Sequence, residues 1–120
     1  MNKTEAMVAA YLEAIYATET GDNDQPPVTA ELTPLTKCQA YIDCRSFLAA
    51  IGGNNPVDGF DDLDPEQLGH DLWLTRNGHG TGFWDRPEIY GEANATLFTR
   101  LAKAMGEHYA DFLELGELPE

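Results

Sequence analysis

The residues best suited to chemistry crowd into one stretch, Gly69 to Arg86. It holds His70, Asp71, Trp73, Arg76, Asn77, His79, Trp84, Asp85 and Arg86, interleaved with Gly69, Gly78, Gly80 and Gly82. An imidazole beside a carboxylate is the usual proton shuttle near neutral pH, so His70 or His79 with Asp71 or Asp85 offers an acid–base pair. The same four side chains are acceptable ligands for zinc or a similar ion. Neither chemistry has its usual companions. The only serine is Ser46, and both cysteines, Cys38 and Cys44, fall in a predicted helix, so no nucleophile sits in a recognisable elbow. No Gly-Lys-Ser/Thr follows the glycines, and the HExxH arrangement is absent. Asp58-Gly59-Phe60-Asp61-Asp62-Leu63-Asp64 is rich in oxygen but lacks the EF-hand register. No catalytic, cofactor-binding or metal-ligating role is therefore assigned to His70, Asp71, His79 or Asp85. A small enzyme or metal protein built on these four stays as the alternative. Arg76 and Arg86 are expected to pair with Asp71, Asp85 or Glu88 and brace the loop.

Charge narrows the class of partner. Seven Lys and Arg stand against 21 Asp and Glu, a net charge of −14 with the histidines neutral. Such a surface repels phosphate backbones and anionic lipid, and attracts basic proteins, among them proteins that themselves handle nucleic acid. The acidity is densest from Asp58 to Asp71, which holds six acids and neither Lys nor Arg. Asp58, Asp61, Asp62, Asp64, Glu66 and Asp71, with the aromatic anchors Trp73 and Trp84, are the candidate partner-binding residues. The two tryptophans have a second reading, as core packing.

The segment Gly69-His70-Asp71-Leu72-Trp73-Leu74-Thr75-Arg76-Asn77-Gly78-His79-Gly80-Thr81-Gly82-Phe83-Trp84-Asp85-Arg86 resembles one found in small uncharacterised bacteriophage proteins. The resemblance covers these 18 residues most specifically, and the first helix and the helix after Pro87 more weakly. It implies a phage origin and a shared fold, and it transfers no catalytic residue. By analogy, small acidic phage proteins often inhibit host defence, as anti-CRISPR or anti-restriction proteins do. The expected function is an acidic phage protein that binds and inhibits a basic, nucleic-acid-handling host protein, with no direct contact to nucleic acid or membrane. An accessory phage protein without inhibitory role is the other alternative.

The elements that position these residues follow from periodicity. Residues 3 to 18 predict a helix whose inner face carries Val8, Tyr11, Leu12 and Ile15, capped by Asn2 or Thr4. A second helix is expected from about Thr33 to Ile51, with Thr33-Pro34 as cap and first residue, and with Tyr41, Cys44, Leu48 and Ile51 inward. Cys38 and Cys44 lie about 240° apart around that helix, which argues against a disulfide and for two small core residues. Asp64-Pro65-Glu66-Gln67 reads as a capping box that opens a short helix from Pro65 to about Trp73. Asn77-Gly78 then signals a β hairpin, unless Gly78 caps the preceding helix. A last helix runs from about Glu92 to Met105, with Ala93, Leu97, Phe98, Leu101 and Met105 inward. His108 to Leu113 forms a short strand or a further helical turn, and residues 116 to 120 fray. The fold class is mostly α: a small α+β single domain over residues 1 to 120, with three to four helices and a short β hairpin or strand. No disulfide, metal or cofactor is called for. No apolar run nears the roughly 20 residues of a membrane span, and no secretory leader is legible, so a cytoplasmic protein is expected.

Overall fold

In the computed structural model, residues 2–21, 25–27 and 30–113 are described. The loop residues 22–24 and the predicted frayed end, 116–120, lie outside them. Five α-helices follow in order among the described residues: α1 (Lys3–Glu19), α2 (Pro34–Gly52), α3 (Pro65–Arg76), α4 (Pro87–Tyr90) and α5 (Glu92–Ala104). Two single 3₁₀ turns, Phe60–Asp62 and Phe83–Asp85, join them. Helix α1 packs most extensively on α3, α2 crosses α1, and α5 closes over α3, α4 and the second 3₁₀ turn. No helix of the described residues is long and apolar enough to cross a membrane.

The helix starts are set by local chemistry. Asn2 Oδ1 accepts from the Glu5 amide at 2.8 Å, and Thr33 Oγ1 from the Thr36 amide at 3.2 Å. Asp64 Oδ1 accepts from the Glu66 amide at 2.9 Å. Each side chain satisfies an amide that the first helical turn leaves without a partner. Gln67 does not close a capping box; it reaches one turn on, to Asp71.

The predicted hairpin is not there. Helix α3 continues to Arg76, and Gly78 caps it in the left-handed region at φ 66°. The Gly78 amide reaches Thr75 O and the His79 amide reaches Leu74 O, the paired bonds of a Schellman ending. Asp71 to Arg76 are six consecutive buried residues. A strand facing solvent on one side would alternate; a helix enclosed on every side need not. The only β element among the described residues is an isolated antiparallel bridge, Leu32 to Phe112. It comes from a C-terminal strap, residues 106–113, lying back against the start of α2. The strap is neither a full strand nor a helical turn.

Gly69 sits mid-helix, where α1 and α3 come closest. A Cβ there would stand 2.1 Å from the Met7 carbonyl oxygen and 3.0 Å from the Tyr11 nitrogen, both α1 backbone. Gly69 therefore serves close helix packing, not a turn. That contact also turns α1: Met7, Ala10, Tyr11, Ala14 and Ile15 are buried, while Val8 and Leu12 are only partly so. In α2, Tyr41 is 43% exposed and Cys38 is exposed, both correcting the expected core; Cys44 is buried. In α5 the buried face is Ala95, Phe98 and Ala102, and Ala93 is exposed. Phe47, Phe83, Tyr90 and Phe98 form one aromatic cluster with ring centroids 5.3 to 5.7 Å apart. Edge-to-face contacts predominate in it, the arrangement ring quadrupoles favour.

Candidate interaction surface

The acidic edge is displayed by an anchored loop. The Val57 amide donates to Ile51 O, tying the loop to the end of α2. The Phe60 ring lies against Gly52, where a Cβ would collide with it. Lys3 lies over the same ring, with Nζ 4.4 Å from its centroid and 3.4 Å from Phe60 O. With the loop's apolar side held down, Asp58, Asp61, Asp62, Asp64 and Glu66 are all exposed. Asp64 and Glu66 flank the α3 N-terminus, whose dipole favours negative charge. The edge continues across an open groove of about 420 Å³, where Glu13 of α1 faces Glu66, His70 and Arg86.

Two of the predicted contact residues are not on this surface. Asp71 is fully buried and Trp73 is 1% exposed. Trp73 packs edge-on to Tyr11 at 5.5 Å and donates from Nε1 to Thr18 Oγ1 at 2.8 Å. Asp71 is a structural hub: it accepts from Gln67 Nε2 (2.9 Å), Arg86 Nε (2.9 Å) and the Tyr90 hydroxyl (2.6 Å). Burial and the bond to Asp71 push the Tyr90 phenol well above its ordinary range, and the same carboxylate raises Arg86. Arg86 thus pairs with Asp71, one of its expected partners. Trp84 is 39% exposed.

Arg76 is held elsewhere than expected. It donates from Nη1 to Asp43 of α2 (2.7 Å) and to the Tyr11 hydroxyl (3.2 Å), and from Nε to Gly106 O (2.8 Å). The Tyr11 oxygen accepts from Arg76 and is also hydrogen-bonded to Nδ1 of His108 at 2.7 Å. This places His108 at the root of the strap. Burial, then the Arg76 charge, lower its pKa, with Asp43 and Asp111 opposing. Burial raises Tyr11 above the ordinary phenol range and pushes the Cys44 thiol up to about 12. Sequence reasoning missed Asp43, Tyr11 and His108. Their partners are 33, 65 and 97 residues away along the chain, and no local pattern reports such pairings.

The four residues of the enzyme or metal alternative are dispersed. His70 Nδ1 is 3.8 Å from Asp71, but that carboxylate is already occupied by three donors. His79 is exposed, with its ring 6.0 Å from Trp73, and Asp85 is exposed on the second 3₁₀ turn. Among the described residues no three His, Cys, Asp or Glu side chains gather as metal ligands would. No family model matches the chain, and neither a curated protein nor a solved structure matches it.

Proposed function

We propose that this chain is an acidic, phage-encoded interaction protein that binds and inhibits a basic, nucleic-acid-handling host defence protein, of the anti-CRISPR or anti-restriction type. One observation carries the reading. The carboxylates Asp58, Asp61, Asp62, Asp64 and Glu66 stand exposed together on a pinned loop and helix start, in a chain of net charge −14. Such an array presents to a basic groove what a phosphate backbone presents: closely spaced negative charge on a firm support. Charge of this kind speeds encounter and selects partners. Asp71 and Trp73 drop out of the contact set, because they are buried. The phage origin rests on the resemblance of the Gly69 to Arg86 segment.

The test is affinity capture from host lysate at low and moderate salt, followed by reconstitution with the captured protein and an assay of its nucleic-acid binding or cleavage. Replacing Asp58, Asp61, Asp62 and Asp64 together by asparagine should slow association and flatten its salt dependence. Association kinetics that are the same for both proteins and indifferent to salt would remove charge mimicry.

A further inference from the structure

Trp84 is the exposed one of the two tryptophans, and the fold holds it in place. It sits in the 3₁₀ turn Phe83–Asp85, whose Phe83 is fully buried. Its ring edge lies over Gly82, where a Cβ would stand 2.7 Å from Cζ3. The Phe83 amide is fixed by Thr75 Oγ1 at 3.1 Å. An indole so placed loses little freedom on binding, which is what a contact anchor requires. Lys103 of α5 already occupies its face, with Nζ 5.6 Å from the ring centroid. Asp85 and Glu88, both exposed, lie within four residues of it along the chain, and Ile89 is 48% exposed. The cation nearest in sequence, Arg86, is turned inward onto Asp71. The corner therefore combines an aromatic face with an internal cation standing where an external one would bind, in a segment whose next two acids, Asp85 and Glu88, are exposed.

We propose that this corner receives an arginine of the basic partner, whose guanidinium stacks on Trp84 and displaces Lys103 while Asp85 and Glu88 accept its hydrogen bonds. The inference rests on the proposed reading of a basic partner and names the side chain that reading would deliver. Arginine is favoured over lysine because its planar, weakly hydrated cation stacks and donates in the same plane.

The probes are octa-arginine and octa-lysine peptides, titrated against the full chain at about 0.05 and 0.3 M salt, with affinity read by isothermal titration calorimetry for every variant and tryptophan emission followed alongside where Trp84 is present. Trp73 is buried, so an emission change that vanishes in Trp84→Phe belongs to Trp84. Octa-arginine should perturb Trp84 emission and bind more tightly than octa-lysine. Trp84→Ala should weaken octa-arginine about two- to fivefold, the worth of an exposed cation–π contact, without altering the salt slope. Lys103→Gln should tighten it, and that gain should shrink in the Trp84→Ala background, the coupling expected of residues that share one ring. Circular dichroism establishes that each variant is folded, and Trp84→Phe, which keeps an aromatic ring in the turn but a weaker cation–π face, is the milder variant should alanine not be tolerated. Salt-sensitive binding of octa-arginine that ignores Trp84 overturns this inference and leaves the acidic-surface reading standing. If neither peptide binds at low salt, both fall.

Discussion

Replacing Gly69 by alanine should reverse the usual sign of that substitution. In an open helix interior, Gly→Ala stabilises by about 0.8–1 kcal/mol, because glycine has more backbone freedom to lose. At Gly69 the new Cβ would stand 2.1 Å from Met7 O and 3.0 Å from Met7 C and Tyr11 N. A relaxed carbon–oxygen approach is about 3.3 Å, so the two helices must separate by roughly 1 Å. Backbone atoms of a packed helix cannot swing aside as a side-chain tip can. Overpacking costs about 1–3 kcal/mol, and the upper end applies where backbone must move. Less the propensity gain, the net loss is about 2 kcal/mol, which lowers Tm by roughly 8 °C for a chain of this length. Urea titration with a melt followed by circular dichroism measures both. The control is Gly59→Ala, where nothing lies within 4 Å but φ is +75°; left-handed strain alone should cost it about 1–2 kcal/mol. Gly69→Ala as stable as the parent, or more stable, would refute the close crossing of α1 and α3.

Asp71→Asn should destabilise by about 1–3 kcal/mol, since it keeps the shape but weakens the bonds to Arg86 and Tyr90, and the cost is moderated because Arg86 is partly exposed and can be solvated; a loss of unfolding free energy in urea of less than about a third of that would show the pair to be dispensable. Trp73→Ala should cost about 3–5 kcal/mol by opening a core cavity, whereas Trp84→Ala should leave the melt nearly unchanged. His108 makes stability depend on pH. Its folded pKa is lowered, so the unfolded chain takes up the proton first: the contribution is whole above about pH 6.5 and is lost as pH falls through the lower folded value. His108→Gln should therefore lose less stability than the parent between about pH 7 and pH 5, and parallel profiles would discount the link to Tyr11 and Arg76.

What was legible in the sequence is what local chemistry decides. Thr33-Pro34 and Asp64-Pro65 mark helix starts because cap and proline act on their own turn, and both starts are as read. The end of α3 was ambiguous because Asn77-Gly78 serves a type I′ hairpin and a Schellman cap equally well. The choice is made by burial on all sides of Asp71 to Arg76, which no short window contains. The buried faces of α1 and α5 lie off the stripes that their large apolar residues mark, because small residues share them: Ala10 and Ala14 beside Met7, Tyr11 and Ile15 in α1, and Ala95 and Ala102 beside Phe98 in α5. For the candidate site, the exposure of Asp58 to Glu66 followed from loop composition. The inward turn of Asp71 did not, because its partners Arg86 and Tyr90 arrive only when the next two turns fold back over α3.

The placement of the few cations sharpens what the charge count alone suggests. Arg76 is spent on Asp43 and Arg86 on Asp71, both within the fold. With these two pairs set aside, the 21 acids and seven bases become 19 and five, so the net charge holds at −14 while the ratio rises toward four to one. Two of the remaining five, Lys3 and Lys103, lie over the rings of Phe60 and Trp84. Each lies over an aromatic ring whose neighbours along the chain include acids: Asp58, Asp61 and Asp62 around Phe60, and Asp85 next to Trp84. Lys3 has a structural task there, since its contacts with Phe60 help to hold down the loop that carries the carboxylates. Lys103 is the cation that the proposed arginine would have to displace from Trp84, and a guanidinium suits that exchange because its planar, weakly hydrated cation stacks on the ring more fully than an ammonium does.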